Sequence, residues 1–233
     1  MRPIGFSTGA LAYSDFRLGL SIVQRSNLRV IELSALRENE LEPLVDSIDT
    51  LQLEDFDYIS VHVPSKLRLF TEDRVISLLR HLAGRNWPLI VHPDVIKNFE
   101  QWRIFGNQLC IENMDKRKPI GRTARELAVL FQYLPDARLC LDLGHARQVD
   151  PTMSVALEII ERFGERLHQL HVSEVNTNSQ HDHLTFETML AFQKVSALLP
   201  ETTPVVLESR VTPERVADEV AKCREALSVL AAA

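Results

Sequence analysis

Eight apolar runs along the chain each carry a polar or ionisable residue at or one position before their C-terminal end: Ser7, Glu32, His62, His92, Glu112, Asp142, His171 and Glu208. Charged residues rarely close an apolar run that faces a core, so this repetition calls for a chemical reason. Three more histidines follow closely: His145 in DLGH, three residues after Asp142, and His181 and His183 on either side of Asp182 in QHDH. Imidazole and carboxylate together are the ligand chemistry of zinc, manganese, iron and cobalt, with zinc or manganese the leading expectation. Burying so many carboxylates without cations to neutralise them is strongly unfavourable, and bound divalent metal is the simplest remedy. His62, His92, His145, His171, His181 and His183 join Glu112, Asp142 and Glu208 as candidate ligands. One ion takes about four to six donors, so the surplus points to two or three ions.

The runs that carry these residues are short and rich in Val, Ile and Leu, as parallel strands covered on both faces are. They predict strands over 3–7, 29–33, 58–63, 88–92, 108–112, 138–143, 167–172 and 204–208. Helical spacing fills the gaps, at 15–24, 41–51, 72–84, 95–105, 123–134, 152–164, 186–199 and 213–230. Thr71, Asp150-Pro151 and Thr212-Pro213 supply N-terminal signals, and Gly84 and Gly164 stand where helices should stop. Strict βα alternation through eight units predicts a (β/α)8 TIM barrel of the α/β class. An open doubly wound sheet is the alternative, but no glycine-rich phosphate loop follows the first strand. Nothing in the composition breaks the chain, so residues 1–233 read as a single domain ending in a frayed helix at 231–233.

Strand parity then places the ionisable groups. Glu112 shares a face with Cys110, Asp142 with Cys140, His92 with Ile90 and Glu208 with Val206, whereas Ile111, Leu141 and Leu207 point to the helix layer. The polar residues should therefore line the barrel mouth, where enzymes of this fold carry their chemistry, above a floor of small apolar side chains. Cys110 and Cys140 fit as part of that floor, Trp87 and Trp102 as packing residues, and His81 and His168 as ordinary histidines away from the strand ends.

The ordered motifs VHVPS, VHP, CIEN, CLDLGH, LHVSE, HDH and VLES resemble the xylose isomerase-like TIM barrels, in particular the endonuclease IV type, over essentially the whole chain. The resemblance implies three zinc ions: one held by His62 and His92, with Glu112 bridging to a second held by Asp142, His171 and Glu208, and a third held by His145, His181 and His183. His181 stands where that family usually has an aspartate, and Asp182 is the alternative ligand there. The sugar epimerases and isomerases of the same superfamily imply a different use. There Glu112, Asp142, His171 and Glu208 would hold one metal, with Glu112 and Glu208 as acid and base. The arginine common in those epimerases six residues after the strand-seven histidine is Thr177 here, and Ser65 replaces the tyrosine expected of an abasic-site nuclease.

Around this centre, Glu32, Lys116 and Arg117 are candidates for the substrate side. Glu32 would orient a ligand or loop, and the run Lys116-Arg117-Lys118 would attract a phosphate or carboxylate. Two enzymatic readings follow, metal-assisted hydrolysis of a phosphoester and metal-dependent isomerisation or epimerisation of a sugar or sugar phosphate. A metal-binding barrel without catalysis is the third. The chain has 233 residues, 45% of them hydrophobic and 25% charged, which excludes a disordered, collagen-like or coiled-coil protein. Lys and Arg total 26 against 32 Asp and Glu, and this acidic balance favours a small-molecule substrate over nucleic acid. Three cysteines make no disulfide framework. The opening MRPIGFSTGALAY suggests neither leader nor membrane span, and the expectation is a cytoplasmic protein.

Overall fold

Each of the eight apolar runs forms a strand in the computed structural model, which describes residues 2–228. The end of the expected 213–230 helix and the expected frayed end at 231–233 lie outside the described residues. The strands are β1 (Ile4–Ser7), β2 (Val30–Ser34), β3 (Tyr58–His62), β4 (Leu89–Val91), β5 (Leu109–Glu112), β6 (Arg138–Asp142) and β7 (Leu167–Val172). A small antiparallel hairpin of β8 (Glu174–Val175) and β9 (His181–Asp182) follows, and β10 (Val205–Leu207) completes the barrel. Pairing of β1 with β10 closes a parallel ring in the order β1-β10-β7-β6-β5-β4-β3-β2. The fold is thus a (β/α)8 barrel. The hairpin lies in the loop after β7, where the sequence showed no strand signal.

The alternation read from the sequence holds. Ile90, Cys110 and Cys140 form a small apolar cluster of their own, whereas Ile111, Leu141 and Leu207 join the larger core between strands and helices. All three cysteines are free and buried. At Gly5 a side chain is sterically excluded, since a Cβ there would lie 1.8 Å from the Val30 carbonyl oxygen of the neighbouring strand.

Register decides which residues reach the rim. Ser34 pairs with His62 and Glu32 with Ser60, so β2 runs one residue past the expected end and Glu32 lies one layer below the mouth. Between β6 and β7 the register shifts, with Leu139 opposite Leu167 but Cys140 opposite Gln169. His168 is the extra residue of this bulge, and the shift brings His171 level with Asp142.

The helices are α1 (Thr8–Ala12), α2 (Phe16–Arg25), α3 (Glu38–Ser47), α4 (Glu72–Leu79), α5 (Phe99–Trp102), α6 (Ala124–Tyr133), α7 (Leu143–Val149), α8 (Ser154–Phe163), α9 (Phe186–Ser196) and α10 (Val216–Ala226). Strict alternation is broken twice, because α1 and α7 are added directly after β1 and β6. The helix expected over 95–105 is broken as well. A 3-10 turn occupies Pro93–Val95, and the α-helix is reduced to α5, followed by a second 3-10 stretch. The break has a visible cause: Glu72 Oε1 takes the backbone N–H of Lys97 and Asn98 and the indole N–H of Trp102, at 2.6, 3.2 and 2.8 Å. Thr71 caps α4 through the Arg74 N–H. Gly84 and Gly164 do not act as left-handed stops; 3-10 turns run through both, and Asn86 takes the left-handed position instead. Among the described residues no helix is long and apolar enough to cross a membrane.

Candidate metal centre

Glu112, the last residue of β5, has no solvent exposure and receives four imidazoles. His62 Nε2 and His92 Nε2 lie 3.2 and 3.1 Å from its Oε2, and His145 Nδ1 and His171 Nδ1 each lie 3.3 Å from Oε1. Four elements deliver these rings: the ends of β3, β4 and β7, and α7. Asp142 explains the last. Its Oδ1 accepts the His145 backbone N–H at 2.7 Å, capping α7 and turning the chain so that His145 faces back over the barrel. Asn113 secures the same corner, exchanging hydrogen bonds with the Asp142 backbone at 2.7 and 2.9 Å.

Three rings are oriented from behind. His62 Nδ1 is 2.8 Å from the Val63 carbonyl, His145 Nδ1 is 2.9 Å from the Asn113 carbonyl, and His171 Nε2 is 3.0 Å from Glu32 Oε2. The Val63 and Asn113 carbonyls only accept, so the contacted nitrogens of His62 and His145 donate, while His171 Nε2 lies between Glu32 and the Gln169 amide nitrogen, 2.7 Å away. In the neutral rings of His62 and His145 the other nitrogen then presents a lone pair. Glu32 Oε2 also accepts from the Gln169 amide at 2.7 Å and from Ser60 at 3.1 Å, and Tyr58 donates to Gln169 at 2.9 Å. This lower layer is a fixed backing for His171. Gln169 and Ser60 shared parity with His171 and His62 in the sequence, the one signal that would have found them.

The donor set fits metal ions. Asp142 Oδ2 and His92 Nδ1 are buried with no hydrogen-bond partner, two polar atoms at the centre that a bound cation and its water would satisfy. Four groups bring one potential ligand atom per residue within 4.8 Å of each other. They are His62, His92 and Glu112; Glu112, Asp142, His171 and Glu208; Asp142, His145 and His181; and Glu32, His62, His171 and Glu208. Zinc, manganese or a similar cation would satisfy these donors.

Protonation carries the same message. Burial opposes a charge on His62 and His145, yet the surrounding carboxylates outweigh it and raise them to about 9 and about 10. At His92 burial, with repulsion from His62 and Lys118, outweighs Glu112 and holds the ring down to about 4. Burial also lifts Glu208 to about 7 and raises Asp142, while the imidazoles around Glu112 overcome its burial and keep it well below the usual carboxylate range. Protons on histidine thus do the neutralising work that a cation would take over.

The remaining sequence candidates are placed as follows. His181 reaches the centre from β9, with Nδ1 2.8 Å from Ser173 Oγ and 3.3 Å from Glu208 Oε2. His183 is exposed and joins none of the groups, because the chain leaves the hairpin after Asp182 and the next residue, Leu184, is buried and tied to Glu219. Asp182 instead accepts from Asn176 across the hairpin at 2.7 Å. Glu32 has no exposure, backs His171 from one layer below the mouth and does not line the cavity above the centre. Lys116 is exposed and does not line the mouth; Arg117 does.

Above the centre is an open cavity of about 430 Å³ with His62, His92, Glu112, His145, His181 and Glu208 on its inner wall. Lys66, Arg117, Lys118 and Arg210 also line it. Lys118 is engaged: its Nζ meets both Asp94 oxygens at 2.9 and 2.8 Å and the Ser65 carbonyl at 3.0 Å, tying three loops together. Lys66, Asp94 and Arg210 were not singled out from the sequence. Each lies one to four residues past a strand-end ligand, the span in which this fold carries its substrate contacts.

No protein-family model and no curated relative matches the chain. Among solved structures it is similar to endonuclease IV from Thermus thermophilus, with 18% identity, a TM-score of 0.62 and 97% of this chain and 99% of that one covered. It is similar to 3-keto-D-glucoside 4-epimerase from E. coli, at 13% identity, a TM-score of 0.61 and coverage of 96% and 99%. A xylose isomerase-like TIM barrel protein from Mycobacterium smegmatis, in complex with magnesium, shows 12% identity, a TM-score of 0.60 and coverage of 98% of both chains. At these identities the likeness is one of fold.

Proposed function

We propose that this protein is a divalent-metal-dependent hydrolase with two or three ions at the barrel mouth, acting on a phosphoester of a small polar or sugar-like molecule. The observation that carries this reading is the Glu112 carboxylate, with two imidazole nitrogens within 3.3 Å of each oxygen. That arrangement suits a bridging ligand: His62 and His92 would serve one ion and His171, with Asp142 and Glu208, another. His145 and His181, with Asp142, supply a third set. Bound divalent ions would activate a water at neutral pH and withdraw charge from the phosphoryl oxygens.

The residues of the chain have separable tasks. Glu112 holds two ligand sets apart and in register. Glu208, 3.5 Å from His171 Nδ1 and 3.3 Å from His181, stands at the cavity wall where it can hold or release a proton. Arg117 and Arg210, at the same mouth, supply positive charge for an anionic group. The wall is acidic and imidazole-rich while these two cations stand above it, a polarity suited to a substrate whose anion must be drawn in and then neutralised.

A second reading has its own observation. Glu112 and Glu208 approach the same His171 nitrogen, at 3.3 and 3.5 Å, within the set that also contains Asp142. One ion there, with the two glutamates exchanging a proton, would serve an isomerase or epimerase. Elemental analysis of protein purified without chelator, with phosphatase and phosphodiesterase assays beside it, separates the readings. Two or more ions per chain with metal-dependent phosphoester cleavage is the expected result. A single manganese or cobalt with no cleavage would favour isomerisation, and bound metal with neither activity a non-catalytic barrel. No metal, and no gain in Tm on adding zinc or manganese, would sink all three.

A further inference from the structure

The broken helix after β4 leaves a second cleft beside the mouth, and we infer that it is a subsite for an anionic group carried on an apolar arm of the substrate. The inference rests on the functional reading above and names a further part of the molecule that the site would recognise. The cleft has a volume of about 460 Å³, and Lys66 and Asp94 line both it and the cavity over the candidate metal centre, so the two spaces are adjacent. Leu67, Phe70 and Val95 give it an apolar wall. Lys66, Arg68 and Lys97 give it cations, all three exposed.

These cations are not spent on the carboxylates beside them. Asp94 is paired with Lys118, and Glu72 Oε1 takes the three N–H groups of Lys97, Asn98 and Trp102. Among the described residues Lys66 and Arg68 form no ion pair, and Lys97 Nζ donates only to the Asp94 carbonyl, at 2.7 Å. The cleft therefore presents positive charge over an apolar surface, a combination that selects an amphiphilic anion over a bare one.

Its walls are also built to hold shape. Glu38, buried at the start of α3, accepts the backbone N–H of Arg68, Leu69 and Phe70 at 2.7, 2.9 and 2.7 Å, fixing the loop after β3. Glu72 does the same for the facing turn at 97–98. Two carboxylates on separate helices thus pin the two sides of the cleft, and this preorganisation favours binding.

The test uses the full chain loaded with zinc or manganese and 1-anilinonaphthalene-8-sulfonate, an aryl sulfonate that ligates metals poorly, followed by its fluorescence. One site per chain is expected, weakened about tenfold or more in the R68A/K97A double variant, with metal content and Tm unchanged, and in F70A, with metal content unchanged and Tm somewhat lower because Phe70 packs against the core. Inorganic phosphate, which would take the metal positions, should leave the probe bound. Unchanged affinity in both variants overturns the subsite. So does displacement of the probe by inorganic phosphate, which would place it over the metals instead. Competition by a short oligothymidylate with the same sensitivity to R68A/K97A would assign the cleft to a polynucleotide and overturn the small-molecule assignment. None of these outcomes depends on phosphoester cleavage, so failure of the subsite and failure of the hydrolase reading are distinguishable.

Discussion

His171 Nε2 lies 3.0 Å from Glu32 Oε2, and neither residue has any solvent exposure. Their strands, β7 and β2, are not neighbours in the barrel, so the contact crosses the lumen. It fixes which nitrogen of His171 faces the candidate metal centre, since Nε2 is held from below by Glu32 and the Gln169 amide and Nδ1 is turned toward Glu112 and Glu208. Outer partners of this kind typically contribute about 10–100-fold to metal affinity. Glu32→Gln, which keeps an acceptor in place, should lower affinity less than Glu32→Ala, with both variants still folded. Competition against a chelator of known affinity measures this, and equal affinity in wild type and Glu32→Ala would remove Glu32 from any positioning role.

Glu112→Gln should abolish metal-dependent activity and reduce the number of ions bound per chain, while circular dichroism shows an intact barrel. The bridging role needs two anionic oxygens, and an amide supplies one acceptor and two donors. Full activity in this variant would show the chemistry to lie elsewhere.

The two histidines of the QHDH segment should differ. His181 faces Glu208 and joins a set with Asp142 and His145, whereas His183 is exposed. His181→Ala is expected to lower metal stoichiometry, and His183→Ala to leave it unchanged. Mass spectrometry under native conditions, or elemental analysis of both variants, reads the result, and the reverse pattern would mean that the hairpin rearranges around metal.

The metal-free protein should lose stability as pH rises. His62 and His145 stand at about 9 and about 10 in the folded chain against 6.5 for a free histidine. Folded protein keeps these protons where the unfolded chain has lost them, so their stabilisation is complete below 6.5 and disappears as pH passes 9 to 10. Glu208, raised by burial to about 7 from 4.5, acts in the same direction at lower pH. Calorimetry of the metal-free chain should show Tm falling between pH 6.5 and 10. Metal binding, which takes the deprotonated rings, should tighten over the same window and release protons. A metal-free Tm that climbs toward pH 10 would contradict this account.

Gly5→Ala should be costly despite its small size. The added carbon would stand 1.8 Å from the Val30 carbonyl oxygen, a backbone atom held in the barrel that cannot swing aside. Overpacking typically costs about 1–3 kcal/mol, and a backbone clash belongs at or beyond the upper end. The denaturant midpoint of the variant measures it, and a midpoint equal to wild type would mean that β1 and β2 separate more easily than their pairing suggests.

Much of this molecule is legible before any coordinates, for a local reason. A strand of four to six residues shows its period directly, so the apolar runs, their parity and the identity of their last residues come from the sequence alone. Glu112 over Cys110 and Asp142 over Cys140 needed nothing more. The (β/α)8 order followed from alternation, and the candidate ligands from their types. What depends on closure of the ring was not readable. Ring register put Glu32 one layer down, against His171 on the far side of the lumen, and the bulge at His168 brought His171 level with Asp142. The capping of α7 by Asp142 turned His145 inward, and the β8–β9 pairing brought in His181 while leaving His183 outside. Sequence patterns are set by neighbours along the chain. The candidate metal centre is set by side chains from the ends of seven strands and from α7 meeting in one space, and only the closed barrel determines which atoms meet.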